Sequence, residues 1–159
     1  MESPESPLLN IVLFQPEIPQ NTGNIGRTCV ALGIKLWMVR PIGFRLDSSQ
    51  LKRSGMDYWE HLDWELVDSW SQLSERLSLD RAWLFTKFAT RPYTAAKFQR
   101  GDTLVFGNES SGVTELIQQQ LRSRAIILPM RDKVRCLNLA TSAGIAAYEA
   151  ARQLGQFEV

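Results

Sequence analysis

The chain has 159 residues, 44% of them hydrophobic and 22% charged, with 10 Gly, 7 Pro and a formal net charge of +1. That length suits one compact domain burying roughly 70% of the surface its unfolded form exposes, so residues 1–159 are expected to form a single domain. The composition excludes a disordered or fibrous chain, and the charge balance leaves any polyanion partner to a local basic surface rather than to the molecule as a whole.

No apolar run reaches the roughly 18 uninterrupted residues of a membrane helix, because the longest are broken at Asn10, Lys35 or Arg40. Two cysteines, Cys29 and Cys136, are too few for a disulfide framework and lack the paired spacing of zinc sites. A cytoplasmic location with no membrane and no metal is the expectation. Residues 1–7 carry acids and prolines where a secretory leader carries basic residues and a long apolar run, and are read as a short disordered lead-in.

In chain order, short apolar runs predict strands at 9–14, 35–39, 65–67, 82–85, 103–106 and 125–128. Amphipathic patterns predict helices at 22–32, 49–53, 69–77, 113–120 and 139–154, the last the longest. This alternation is that of β-α-β units: an α/β fold with a parallel sheet and helices on both faces.

Three strand-to-helix junctions stand out. In the first, residues 16–27, Asn21 or Thr22 is expected to cap a helix whose open N–H groups and positive dipole end make an anion site, with phosphate a natural occupant. Arg27, one to two turns further on, is either a surface residue or a group reaching forward to an anionic or oxygen-rich substrate. The second, 106–112, sets Gly107 and Gly112 around Glu109, whose carboxylate can accept hydrogen bonds from a ligand hydroxyl or from neighbouring backbone N–H groups. The third, 128–139, carries Arg131, Lys133 and Arg135, a solvated turn or a contact for a nucleic-acid backbone, before Asn138 as cap of the Ala-rich final helix. Ligands of open parallel sheets bind beyond the carboxyl ends of the strands, so all three junctions are expected on one edge.

Two nucleotide motifs are missing. Gly-x-Gly-x-x-Gly does not follow the first strand and no P-loop Lys-Ser/Thr pair occurs, which counts against NAD and ATP. The only histidine, His61, lies away from the three junctions and is read as structural, so no histidine-based triad is available.

Taken together, Asn21-x-Gly23-Asn24-x-x-Arg27, Gly107-Asn108-Glu109-x-x-Gly112 and Leu128-Pro129-Met130 leading to Leu137-Asn138-Leu139 resemble the three motifs of the SPOUT superfamily of RNA methyltransferases. Among these the chain is most similar to the wobble-position tRNA (cytidine/uridine) 2′-O-methyltransferases, over about residues 9–154, with Tyr148-Glu149-Ala150 also fitting. The resemblance implies an α/β sheet with a C-terminal trefoil knot, an exception to the rule that chains do not thread. It implies S-adenosyl-L-methionine held by Phe85, Thr86, Gly107, Glu109, Gly112, Leu128, Met130, Cys136 and Leu137, the adenine being read by backbone groups.

It further implies a homodimer acting on the tRNA anticodon stem-loop, with Arg27 activating the ribose 2′-hydroxyl and Asn24 and Asn138 orienting substrate and loop. A guanidinium normally keeps its proton, so stabilising the developing alkoxide is the physically easier role for Arg27. The small-residue helix carrying Ala140, Ala143, Ala147 and Ala151 suits a two-fold helix contact or packing on the sheet, and the two-fold contact is the expectation, since a chain of this size needs a second subunit to build a surface large enough for tRNA. The chain departs from many members in having Cys136 for Ser, Asn108 for Pro, and Ser111 where a bulkier side chain is common. The rival expectations are a methyltransferase for another RNA or tRNA position, a non-catalytic RNA-binding protein of the same fold, and a flavodoxin-like redox domain.

Overall fold

The structure, a computed structural model, describes residues 6–46 and 58–157. The helix expected at 49–53, and the first five residues of the expected lead-in, lie outside the described residues. The elements are β1 (Asn10–Phe14), α1 (Pro19–Leu32), β2 (Lys35–Val39), β3 (Trp64–Val67), α2 (Trp70–Arg76), β4 (Ala82–Phe85), β5 (Thr103–Phe106), α3 (Glu115–Gln120), β6 (Ala125–Ile126) and α4 (Leu139–Gln153).

The strands form one six-stranded sheet in the order β3-β2-β1-β5-β4-β6, and every pairing is parallel. Side chains alternate between its faces along each strand. Ile11, Leu13, Leu36, Met38, Leu104 and Phe106 meet Ile25 and Cys29 of α1 and the alanines of α4. On the opposite face Val12, Phe14, Trp37, Val39, Leu84 and Val105 meet Trp70 and Leu73 of α2 and Ile117 of α3. Burial on both sides is why the central strands read as unbroken apolar runs, as parallel strands between helix layers do. It also pushes the Cys29 thiol well above its ordinary titration range.

Two boundaries differ from expectation in ways that matter to the site. Helix α1 begins at Pro19, three residues early, because proline fixes φ in the helical range and gives up an N–H that the first turn leaves unpaired anyway. Asn21 and Thr22 are therefore inside the first turn and neither is the cap; Ile18 is, with an extended backbone and no capping side chain. Strand β6 stops at Ile126, since Ile127 makes only an isolated bridge to Pro92 and Leu128 has left the sheet.

The C-terminal alanines are also corrected. Ala143, Ala147 and Ala151 are fully buried against the chain's own sheet and α1, so they are not the face offered to a second subunit. Small side chains there let α4 lie close to its neighbours within the chain.

Among the described residues, one charged group sits in the core. Asp102, 1% exposed, accepts hydrogen bonds from Arg81 Nε (2.7 Å) and Nη2 (2.6 Å), Trp83 Nε1 (2.9 Å) and the Gln99 amide (2.9 Å). A buried carboxylate so fully partnered is costly to remove, because its donors stay behind. Asp102→Ala is expected to cost about 3 kcal/mol in urea denaturation, and Asp102→Asn clearly less because it keeps an acceptor.

Candidate active site

The sheet order places β1 beside β5, whose onward connections, to β2 and to β6, leave in opposite directions, and a crevice opens beyond the carboxyl ends of strands at such a point. A cleft of about 480 Å³ lies there, within the size range of small-molecule sites. Its wall is built from the start of α1, the turn after β4, the glycine loop after β5 and the segment between β6 and α4. Phe85 and Phe106 stack within it, with ring centroids 4.7 Å apart and 14° between planes.

What joins the start of α1, the glycine loop and the head of α4 is one chain of hydrogen bonds. The Glu109 carboxylate accepts the backbone N–H groups of Glu17 (3.1 Å) and Ile18 (2.8 Å) and the side-chain amide of Asn21 (3.2 Å). Asn21 Oδ1 in turn accepts from Asn138 Nδ2 at 3.0 Å. Asn138 Oδ1 completes the chain by accepting the amides of Ala140 (2.9 Å) and Thr141 (3.2 Å), capping α4. A return contact runs the other way, Ser110 donating through its N–H (3.1 Å) and Oγ (2.5 Å) to Glu17 Oε1.

Helix α1 has an Ile cap with no side-chain oxygen to offer, and a carboxylate from 91 residues away in sequence instead takes the N–H of the cap residue itself, at the positive end of the helix. The anion expected at this helix end is thus the protein's own Glu109. Backbone N–H groups, one of the two kinds of partner open to Glu109 in the sequence, are among those it takes.

The glycine loop is tight for a geometric reason. A Cβ on Gly107 would lie 2.5 Å from Gly112 Cα, and Gly112 itself has φ +70°. The main chains of Asn108 and Gly112 exchange two hydrogen bonds (3.2 and 3.3 Å) across the turn. Asn108 Oδ1 also accepts the N–H (2.7 Å) and Oγ (3.0 Å) of Ser111. The two departures from the common motif, at 108 and 111, are therefore partners that brace one turn.

All nine residues expected to hold the cofactor line the cleft: Phe85, Thr86, Gly107, Glu109, Gly112, Leu128, Met130, Cys136 and Leu137, and Asn138 lines it too. Arg131, Lys133 and Arg135 are exposed on the segment that forms its lip. Asn24 and Arg27 are not among the lining residues. Both are exposed on α1, roughly 4.5 and 9 Å along the axis from Asn21 at 1.5 Å per residue. His61 is surface-exposed and outside the cleft. Among the described residues, no group of three or more His, Cys, Asp and Glu is placed to hold a metal ion, and no helix is long and apolar enough to cross a membrane.

A family model for SpoU rRNA methylases matches residues 8–148, spanning the sheet, the cleft and most of α4. The chain belongs to that family. A tRNA (cytidine(34)-2′-O)-methyltransferase of Methylovorus glucosotrophus is 41% identical to it over 147 residues, 92% of this chain and 96% of that protein. A solved structure described as "structural insights into the 2-OH methylation of C/U34 on tRNA" superposes with TM-score 0.85 at 46% identity, covering 93% of this chain and 97% of the other. The fold is shared further, at 22% identity and TM-score 0.82, with the SpoU methyltransferase AviRb of Streptomyces viridochromogenes in complex with AdoMet, over 94% of this chain and 58% of that one.

For this SpoU-family chain, sequence reasoning missed Lys87 and Phe88, which line the cleft, and Glu17, which braces the glycine loop through Ser110. The signal available for Glu17 was its place directly before Ile18-Pro19, where a helix is about to begin without a polar cap. Lys87 and Phe88 had only their position after a strand end, and Phe88 is 70% exposed there.

Removing the carboxylate should loosen α1 at its first turn. Glu109→Ala is expected to cost about 1–2 kcal/mol and to speed hydrogen exchange of the Glu17 and Ile18 amides, with Glu109→Gln in between; unchanged exchange would show that the carboxylate does not cap the helix.

Proposed function

We propose that the protein transfers a methyl group from S-adenosyl-L-methionine to the ribose 2′-oxygen of the wobble nucleotide, cytidine or a modified uridine, in the tRNA anticodon stem-loop. The observation that carries this is the convergence of the three motif loops on one cleft through Glu109, Asn21 and Asn138. The naming of a 41% identical relative as a wobble-cytidine 2′-O-methyltransferase supports the substrate.

The cleft fits the cofactor by chemistry and by size. Phe85, Phe106, Leu128 and Leu137 offer apolar walls for a nucleoside, while the glycine loop keeps side chains out where its backbone doubles back. When bound, S-adenosylmethionine supplies an electrophilic methyl group on a sulfonium centre. Glu109 and Asn138 hold the walls in place with their side chains, leaving backbone groups of 128–137 to read the adenine. Cys136 is exposed at the lip and belongs to the same wall.

Arg27 is assigned to the reacting oxygen. Side chains on a helix lean toward its N-terminus, so Arg27 leans toward the end of α1 that meets the cleft. A ribose hydroxyl is a very weak acid, and a fixed guanidinium stabilises alkoxide character as the oxygen attacks. Asn24 lies between Arg27 and Asn21 and orients the nucleotide. Arg131, Lys133 and Arg135 on the lip meet the RNA backbone.

The fold reading includes a C-terminal trefoil knot in a single cytosolic domain over 1–159. Support for the knot comes from the loop between β4 and β5. Ile127 bonds its early limb at Arg91 and Tyr93, and Gln153 of α4 bonds its later limb at Ala96 and Phe98. A homodimer is supported by the outer face of α4, where Ile145 and Tyr148 are exposed and Tyr148 stacks on Phe157 with centroids 5.6 Å apart.

Incubation with labelled S-adenosylmethionine and unfractionated tRNA, then alkaline digestion, is the test. A 2′-O-methyl group blocks attack by that hydroxyl on the neighbouring phosphate, so label is expected in an alkali-resistant dinucleotide. Arg27→Ala should abolish transfer without weakening S-adenosylhomocysteine binding. Label confined to a base, or no transfer by the parent protein, contradicts the proposal.

A further inference from the structure

We infer that Tyr58 is a positioning residue for Arg27, holding its guanidinium in place for the substrate ribose; the inference rests on the role proposed for Arg27 above. Tyr58 grips one turn of α1 in two places. Its ring lies beneath the Arg27 guanidinium, 5.1 Å from ring centroid to Cζ, and its hydroxyl donates a hydrogen bond to the Gly23 carbonyl. In an α-helix the carbonyl of residue 23 is the one that takes the amide of residue 27. Ring and hydroxyl therefore fix the side chain and the backbone of the same residue.

Tyr58 is itself held. It begins the single helical turn Trp59–His61, where the His61 amide donates to the Tyr58 carbonyl at 2.9 Å. That turn lies directly on α1 beside Arg27: a Cβ on Gly26 would come within 3.2 Å of Leu62 and 3.3 Å of Trp59. Trp59 is backed in turn by Trp64, with centroids 5.4 Å apart. A larger residue at 26 would push this platform away, so the small residue before Arg27 and the ring beneath Arg27 serve one arrangement.

The contact suits a fixed positive charge. An aromatic face attracts the cation, and a cation–π contact consumes none of the N–H donors of the guanidinium. The ring can restrict an exposed, many-rotamer side chain without competing with an oxygen ligand. That favours Arg27 as a stationary electrostatic partner of the 2′-oxygen over Arg27 as a proton acceptor.

The test compares Tyr58→Leu, Tyr58→Phe and Tyr58→Trp in single-turnover transfer from labelled S-adenosylmethionine to unfractionated tRNA, with S-adenosylhomocysteine affinity measured by calorimetry. Tyr58→Leu is expected to slow transfer roughly tenfold, with KM for tRNA and affinity for S-adenosylhomocysteine within about twofold of the parent. Tyr58→Phe, which keeps the ring, should lose about threefold, and Tyr58→Trp should recover most of the Tyr58→Leu loss. An unchanged rate in Tyr58→Leu, a loss appearing in KM or cofactor affinity instead, or no recovery by Tyr58→Trp overturns the inference. If Tyr58→Leu does not fold, the ratio of Tyr58→Phe to Tyr58→Trp decides in the same way. Arg27→Ala separates the two levels: full activity there removes the role of Arg27 itself, whereas an inactive Arg27→Ala beside a fully active Tyr58→Leu removes only that of Tyr58.

Discussion

Helix α1 begins without a polar cap, and in this chain the turn that leads into it is held by a carboxylate on a different loop. Glu109 reaches the amides of Glu17 and Ile18 and the side chain of Asn21, and Asn21 passes the connection to Asn138 at the head of α4. Three segments far apart in sequence thereby become one wall. Without that linkage the sheet would still pack, since its two apolar cores do not depend on it, but the cleft would lose its shape.

The sheet supplies the rest of the geometry. Parallel pairing puts the carboxyl ends of all six strands on one edge, and the adjacency of β1 and β5 brings the Pro16-Glu17-Ile18 turn against the glycine loop. Helices α1 and α4 lie together on one face, so their N-termini both open at that edge. Each of these is a consequence of burial, and each turns apolar periodicity into a position for a polar group.

The sheet and its layers were legible because strands buried on both sides and amphipathic helices leave strong patterns, as in residues 35–39 and in the repeated alanines of α4. The residues that line the cleft were legible from motif order. The start of α1 was misread because Asn21 is a common capping residue, whereas here the fixed φ of Pro19 starts the helix earlier and Glu109 acts as cap from a distance. No local pattern announces a cap supplied across 91 residues. The alanines of α4 were equally ambiguous, for small residues suit both an internal and an external helix contact; full burial of Ala143, Ala147 and Ala151 decides for the internal one. Tyr58 carried no signal at all, because its significance lies in what it stacks upon.

Function follows from what these restraints leave exposed: an apolar cleft lined by loop backbone, a basic lip, and an arginine braced on the adjoining helix. Such a site matches a reaction whose main demands are alignment of three atoms and stabilisation of a developing negative charge. The linkage through Asn21 is the point on which the arrangement turns, and calorimetric titration of S-adenosylhomocysteine into Asn21→Ala measures it most directly. Affinity is expected to fall about tenfold or more, with the thermal transition of the sheet little changed; affinity equal to that of the parent protein would contradict the account.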